Sequence, residues 1–142
     1  MNGQLKPNVK YKTGEFDYIY ETDELGRLKE WDAKKLELTD RDQRLPHNPN
    51  TPGKLPGDHA GHIAGDRFGG SPDIDNMTSQ LSGVNLSDYK KLENQWAKAL
   101  DADLDVSVKV KINYEGTSVR PSSFEVNYTI DGESFSKLIP NN

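Results

Sequence analysis

The side chains most capable of chemistry lie together in the middle of this 142-residue chain. Two of its three histidines, His59 and His62, precede Asn76 and Asn85, which are nine residues apart, and Glu93 follows eight residues later. A neutral imidazole accepts a proton at about pH 7, while carboxamide and carboxylate oxygens suit hard cations. These residue types and spacings predict a hydrolytic site built around one metal ion.

These residues would meet if the chain around them folded as strand, strand and helix. We expect a first strand around His62, a second at Asp75–Ser79, and a helix at Leu86–Leu100 that begins directly after Asn85. The Asn85 oxygen would hold Mg²⁺, with waters and phosphate oxygens at the other positions. His62 would take a proton from an attacking water, and the cation would stabilise developing charge. The alternative role of Asn85 is that of a helix N-cap alone.

Two further side chains support this chemistry. Glu93 falls on the apolar stripe of the predicted helix, where an unpaired carboxylate is costly, so it needs a partner. It lies two turns from Asn85 and could orient a water near the metal. Its alternative role is an ion pair with Lys90 or Lys98. Arg67 is the best local candidate for a phosphate contact, and an ordinary surface arginine is the alternative.

The elements that must position this centre are indicated by hydrophobic periodicity. Apolar residues at three- and four-residue steps define the helix stripe: Leu86, Tyr89, Leu92, Trp96 and Leu100. Alternating patterns predict strands at residues 9–12, 15–21, 27–31, 104–114, 124–130 and 133–139. The last three form an antiparallel meander with one face in water, turned at Asp131-Gly132. Residues 32–38 fit either a short helix or a continued strand.

Composition narrows the class of protein. The chain has no cysteine, which excludes disulfides, thiol nucleophiles and cysteine zinc sites, and its length favours one domain. No apolar run approaches the roughly 18 residues of a membrane span, and the N-terminus has no signal-peptide core. The net charge of −5 argues against a passive nucleic-acid binder but not against an enzyme that engages phosphate locally.

Glycine and proline dominate the approach to the histidines. Residues 39–57 contain four of the eight prolines and predict a long irregular loop, in which His47 is a solvated histidine. Glycine occupies every fourth position from Gly53 to Gly69. Because each glycine costs a helix about 1 kcal/mol, the series predicts tight turns and close approach of the backbone to a ligand.

The central residues resemble a known family. The series DHAGHIAGDRFGG, IDNM and NLSDYKKLENQWAKAL is similar to DNA/RNA non-specific endonucleases of the ββα-metal (His-Me finger) group, and in particular to C-terminal nuclease domains of polymorphic toxins exported by type VII secretion. The likeness covers residues 58–100 and, more loosely, 5–38. It implies an α+β fold with a ββα-metal core and flanking antiparallel β-strands. It also implies His62 as general base, Asn85 as metal ligand, Glu93 as the supporting acid and Asn76 as a polar group near base or substrate.

One departure from the family pattern leaves the base open. The family usually has Asp-x-Gly-His, whereas His59 occupies the aspartate position here and Asp58 lies one residue earlier. The Asp58-His59 pair also resembles the start of the HNH variant, in which His59 would be the base. Strand alternation sends the two histidines to opposite faces, so one of them should reach the metal. The run Gly61-His62-Ile63-Ala64 favours His62.

The sequence therefore predicts a Mg²⁺-dependent, non-specific endonuclease, with Mn²⁺ as a substitute metal. Its expected substrate is DNA, with RNA as a second candidate, and the resemblance implies 5′-phosphate products. We expect one domain over residues 1–142, with its catalytic core at 58–100 and a C-terminal meander at 104–139. The resemblance further implies a cognate immunity protein, and secretion as the C-terminal part of a larger bacterial toxin that acts in the target-cell cytoplasm. The alternative is a catalytically degenerate ββα domain that binds a protein; the meander is a candidate surface for the immunity protein in either case.

Overall fold

Strands from both ends of the chain form one antiparallel sheet, although a long insertion separates them. The structure is a computed structural model that describes residues 5–39, 56, 58–70, 76–81, 88–118 and 120–141; for residues 58–62, 66, 77 and 79–81 it describes the backbone alone. The elements are β1 (Lys10–Thr13), β2 (Tyr18–Thr22), β3 (Leu28–Ala33), β4 (Asp58–His62), β5 (Met77–Leu81), α1 (Tyr89–Asp101), β6 (Val106–Asn113), β7 (Ser123–Ile130) and β8 (Glu133–Pro140). The six-stranded sheet has the order β1-β2-β3-β6-β7-β8, and β4 pairs with β5 in a separate two-stranded sheet.

The C-terminal half follows its alternation pattern closely. In β6 the residues Val106, Val108, Val110 and Ile112 are buried, and the residues between them are exposed or half-buried. β7 pairs with β6 over eight residues and continues into β8 through the turn at Asp131 and Gly132, both of which have a positive φ. The predicted meander with one face in water is confirmed.

Aromatic residues fill the space between the sheet and α1. Trp96 of α1 is fully buried and contacts four other aromatic rings at centroid distances of 5.7–6.4 Å: Trp31, Phe68, Tyr89 and Tyr128. Large aromatic side chains contribute most of the buried apolar area in a core of this kind. The cluster therefore fixes α1 against the sheet and, through Phe68, against the segment that follows β4.

The N-terminal strands differ from the prediction in their boundaries. β2 begins at Tyr18, not at residue 15, because Gly14 (φ 87°) and Asp17 (φ 54°) take left-handed conformations and form a turn between β1 and β2. Phe16 therefore lies in the turn. The ambiguous residues 32–38 continue β3 through Ala33 and then run irregularly, so the short helix predicted as one alternative is wrong.

The helix of the central region is confirmed as α1, with Tyr89, Leu92, Trp96 and Ala99 buried. Its described part begins at Tyr89, so the predicted start at Leu86 and the cap residue Asn85 lie outside the described residues. Among the residues that the structure describes, no helix has the length and apolar content that crossing a bilayer requires.

Candidate active site

The chain that leaves β4 is buried without forming regular structure. Ile63, Ala64 and Phe68 are fully buried, and a short 3-10 turn covers Asp66–Phe68. Because its backbone groups cannot all reach water or a strand, they require other partners. Two tyrosine hydroxyls, one from β2 and one from α1, and the side chain of Asn76 supply them.

The two tyrosines hold the two ends of this segment. The Tyr89 hydroxyl donates to the Ile63 carbonyl oxygen at 2.6 Å, and the Tyr18 hydroxyl donates to the Phe68 carbonyl oxygen at 2.8 Å. Burial raises the pKa of Tyr89, and the negative charge of Glu93 raises it further. The hydroxyl therefore stays protonated and remains a donor across the neutral pH range.

Asn76 is buried and connects Tyr20 of β2 to the backbone of Ala64. Its side-chain oxygen accepts hydrogen bonds from the Tyr20 hydroxyl (2.5 Å) and from the Ala64 amide (2.8 Å), and its side-chain nitrogen donates to the Ala64 carbonyl oxygen (2.8 Å). The Asn76 carbonyl oxygen accepts from the Ile63 amide at 2.8 Å. Asn76 therefore fixes the chain directly after His62, at the point where β5 begins.

Glu93 lies against the same segment from the helix side. Gly65 is buried, and a Cβ atom built on it would overlap the Glu93 carboxylate, with the carboxyl carbon only 3.2 Å away. A glycine is needed here because any side chain would displace this carboxylate. The structure thus brings Asn76 and Glu93 to the two sides of the chain that follows His62.

In the glycine series the predicted turn lies at Gly69, whereas the close approach at Gly65 is to a side chain of the protein and not to a ligand. Besides Gly65, a Cβ on Gly70 would overlap the Ala64 carbonyl oxygen, and Gly69 has a φ of +77° beside the Phe16 ring. Gly61 lies inside β4 and pairs with Thr78. The remaining two glycines of the series, Gly53 and Gly57, lie outside the described residues.

The other predicted site residues are placed less completely. β4 is regular from Asp58 to His62, with His59 opposite Gln80 and His62 opposite Met77, but the histidine side chains lie outside the described part. Asn85 lies outside it altogether. Arg67 is exposed in the 3-10 turn.

Arg67 is positioned by a backbone hydrogen bond, and the orientation of Glu93 follows from the ion pairs of the described residues. The carbonyl oxygen of Arg67 accepts a hydrogen bond from the Thr39 amide at 2.8 Å, which fixes the turn to the chain that follows β3. The ion pairs formed between described residues do not include one from Glu93 to Lys90 or Lys98. Glu93 is therefore directed towards Gly65, and not along the surface of its own helix.

Sequence reasoning missed Tyr20, Tyr89 and Gly65 as members of this site. Tyr89 falls on the apolar stripe of the predicted helix, and Tyr20 falls in an alternating strand. In both patterns a tyrosine counts as an apolar ring, so the pattern does not indicate what its hydroxyl bonds to. Buried tyrosine hydroxyls usually find a hydrogen-bond partner, and that rule could have directed attention to a polar group nearby. Gly65 belongs to the series of glycines at every fourth position, but that series does not indicate that Glu93 lies beside it.

Replacing Tyr20 with phenylalanine should weaken the Asn76 connection selectively. The Asn76 oxygen keeps its bond to Ala64, so we expect a loss of about 1 kcal/mol in the free energy of unfolding, together with a lower kcat. Denaturant unfolding and nuclease turnover measure the two effects. Tyr128→Phe is the matched control, since its hydroxyl donates to Gln95 at 3.0 Å away from this segment. Equal turnover in both variants would contradict a role of Tyr20 in positioning the site.

Comparison with known proteins identifies the family of this chain. Residues 7–132 match the family of DNA/RNA non-specific endonucleases. The type VII secretion system protein EssD from Staphylococcus aureus, in strains USA300 and NCTC 8325, is 39% identical over 139 residues, covering 92% of this chain and 22% of EssD. The chain thus spans less than a quarter of the length of these curated relatives.

Two solved structures share the fold. NucA from Streptococcus agalactiae with magnesium ion bound gives a TM-score of 0.71 at 16% identity, covering 99% of this chain and 78% of NucA. Sda1 nuclease with bound zinc ion gives 0.69 at 12% identity, covering 96% of this chain and 84% of Sda1. With a family match over residues 7–132 and a relative at 39% identity, the chain belongs to the DNA/RNA non-specific endonuclease family and is a nucleic-acid-hydrolysing enzyme.

Proposed function

We propose that residues 1–142 form a single metal-dependent endonuclease domain that cleaves DNA without sequence preference, with RNA as a second substrate. In this proposal β4, β5 and α1 are the ββα-metal unit within residues 58–100, and the meander of residues 104–139 supports it from the sheet. The antiparallel pairing of β4 with β5, followed along the chain by α1, supports this assignment.

The observation that carries the proposal is the position of the Glu93 carboxylate beside Gly65, three residues after His62. A half-buried carboxylate is costly unless its surroundings use the charge. Here it is held next to the end of the strand that bears both histidines, while Asn76 fixes the backbone between them.

The proposed roles follow from these positions. His62 accepts the proton of the attacking water, and His59 is the alternative base, because the unprotonated nitrogen of a neutral imidazole can accept a proton. Glu93 orients a water beside the reacting phosphate, and Arg67 contacts a phosphate oxygen. Asn76 touches neither group directly and acts by holding the chain after His62 in place.

The donor chemistry fits a hard divalent cation. Asn85 is the proposed ligand, and its carboxamide oxygen, like a carboxylate oxygen, belongs to the oxygen class that Mg²⁺ prefers and Mn²⁺ also accepts. When bound, the cation would stabilise negative charge on the phosphate and on the leaving oxygen. Water would attack phosphorus and the P–O3′ bond would break, leaving a 3′-hydroxyl and the 5′-phosphate end that the family resemblance implies. That NucA binds magnesium and Sda1 binds zinc supports a metal-dependent site while leaving more than one metal to test.

Plasmid digestion tests this function and its metal dependence together. Purified protein with Mg²⁺ should convert supercoiled plasmid to nicked, linear and then heterogeneous fragments, and EDTA should stop the reaction. Mn²⁺ and Zn²⁺ replace Mg²⁺ in parallel reactions, and an RNA substrate is treated in the same way. Unchanged cleavage in EDTA would refute metal dependence, and no cleavage with any of the three metals would refute the proposed activity of this domain.

The biological setting is a proposal built on EssD, a type VII secretion system protein. We propose that the chain is the toxic C-terminal part of a larger secreted protein, that it acts in the target-cell cytoplasm, and that an immunity protein neutralises it, with the meander as the contact surface. Growth arrest on expression, relieved by an adjacent gene, tests the first part. Hydrogen exchange on the complex tests the surface, where unchanged rates over residues 104–139 would exclude it.

The alternative function, a degenerate ββα domain that binds a protein, is not favoured, since the family and the two structures compared above are nucleases.

A further inference from the structure

An open groove of about 550 Å³ runs along the solvent-facing side of α1, beside the turn that follows β4. Its polar lining consists of Arg67, Lys91, Asn94, Gln95, Lys98 and Asp101. Three cationic side chains thus face one carboxylate, in a chain whose net charge is −5. The groove is therefore a local basic surface on an acidic protein.

The three cations are available to an external anion. Among the described residues, no ion pair includes Arg67, Lys91 or Lys98, and all three side chains are exposed. By contrast, lysines on the outer face of the sheet pair with glutamates, as Lys109 does with Glu30. A cation that is not already neutralised gains more from meeting a phosphate.

The spacing of these side chains suits a phosphodiester chain. Lys91, Asn94 and Lys98 lie three and then four residues apart, so they occupy one face of α1 and span about 10 Å along its axis. That length corresponds to roughly three nucleotides of one strand at ~3.4 Å of axial rise each. Arg67 adds a fourth donor from the opposite wall of the groove.

The groove is lined by residues close in the chain to the candidate site. Arg67 lies two residues after Gly65, which contacts Glu93, and Ala97, one turn after Glu93 on the helix, lines the groove. A strand whose scissile phosphate sits near Glu93 would therefore pass directly into the groove.

We propose that this groove binds the phosphodiester backbone of the nucleic-acid strand beyond the scissile phosphate, with Lys91 and Lys98 contacting separate phosphates. The inference rests on the proposed nuclease function of the adjacent site. Since every sequence has the same backbone, the contact adds affinity without sequence preference. It explains how an acidic protein engages a polyanion through one short surface.

The double variant Lys91→Gln/Lys98→Gln tests the groove by binding, without metal. Anisotropy of a fluorescein-labelled duplex of several helical turns is measured in EDTA over a range of salt concentrations. We expect the slope of log affinity against log salt to become shallower by about 2 and the affinity at low salt to fall roughly tenfold. The control Lys109→Gln/Lys111→Gln makes the same charge change on the outer face of the sheet and should keep the slope.

The outcomes separate the groove from the catalytic proposal. Equal slopes in wild type and the groove variant, or no binding by the wild type, would overturn the groove. With Mg²⁺, the groove variant should keep its kcat on bis(p-nitrophenyl) phosphate, a diester too small to reach Lys98, while KM for the duplex rises. If the wild type cleaves nothing yet binds through these lysines, the proposed function fails and the groove stands.

Discussion

Replacing His62 with alanine is expected to lower the rate of DNA cleavage by about 10²- to 10⁴-fold, the range that a positioned general base contributes. The variant removes the imidazole and leaves the β4 backbone, whose pairing with β5 does not depend on this side chain. Thermal unfolding should therefore change little while turnover collapses. Initial rates on plasmid, with melting temperature as the check on folding, measure the result.

Two controls make this prediction specific to one histidine. His47→Ala removes the third histidine of the chain, predicted to be solvated, and should retain full activity. His59→Ala decides between the two readings of the motif. If His59→Ala abolishes activity while His62→Ala remains active, the base is His59 and the motif follows the HNH register.

The pH dependence gives an independent check on the same role. A histidine base cannot accept a proton once its imidazole is protonated. The rate of the wild type should therefore fall through an inflection as the pH is lowered. The residual rate of the base-deficient variant should lose this inflection, and a preserved inflection would show that another group is titrating.

Local patterns predicted the elements of this fold well, because both kinds of periodicity are local. The stripe through Tyr89, Leu92 and Trp96 indicated α1, and the alternation around Val108 indicated β6. What the sequence could not supply was the partner of each strand. β3 pairs with β6, Trp31 opposite Val110, across the whole insertion that contains β4, β5 and α1. Alternation fixes the buried face of a strand but not its neighbour.

The candidate site shows the same limit at the level of side chains. Glu93 was indicated because it falls on the apolar stripe of the helix, and Asn76 because of its spacing to Asn85 and Glu93 and the family resemblance. Their contacts were not predictable, because the Tyr20–Asn76 bond and the Gly65–Glu93 approach each join separate elements. A tyrosine in an apolar stripe gives no indication of where its hydroxyl is directed. Packing supplied that information.

The Gly65–Glu93 contact leads to the second large expected effect. In Gly65→Ala the new methyl group would overlap the Glu93 carboxylate, which is the far end of a flexible side chain and can move. The fold should therefore tolerate the change, whereas the carboxylate shifts by about 1 Å or more. Because a misplacement of this size costs about 10²-fold in rate, we expect turnover to fall by about that factor with little loss of stability.

A matched glycine distinguishes displacement from general strain. Gly116 has open space around its would-be Cβ and a φ of +53°, so Gly116→Ala meets no neighbour but takes a strained backbone conformation. We expect that control to lose about 1 kcal/mol of stability and to keep its activity. Gly65→Ala should show the reverse pattern in unfolding and turnover measurements. Loss of stability without loss of turnover in Gly65→Ala would contradict the assignment.

A double-mutant cycle then attributes the effect to Glu93. Glu93→Ala removes the group that the methyl would displace, so Gly65→Ala should cost little further activity in that background. Strong non-additivity would mean that Gly65 matters to catalysis only by leaving room for the carboxylate. Additive losses would mean that the methyl acts through the Ile63–Phe68 backbone instead, and displacement of the Glu93 carboxylate would not explain the lower turnover.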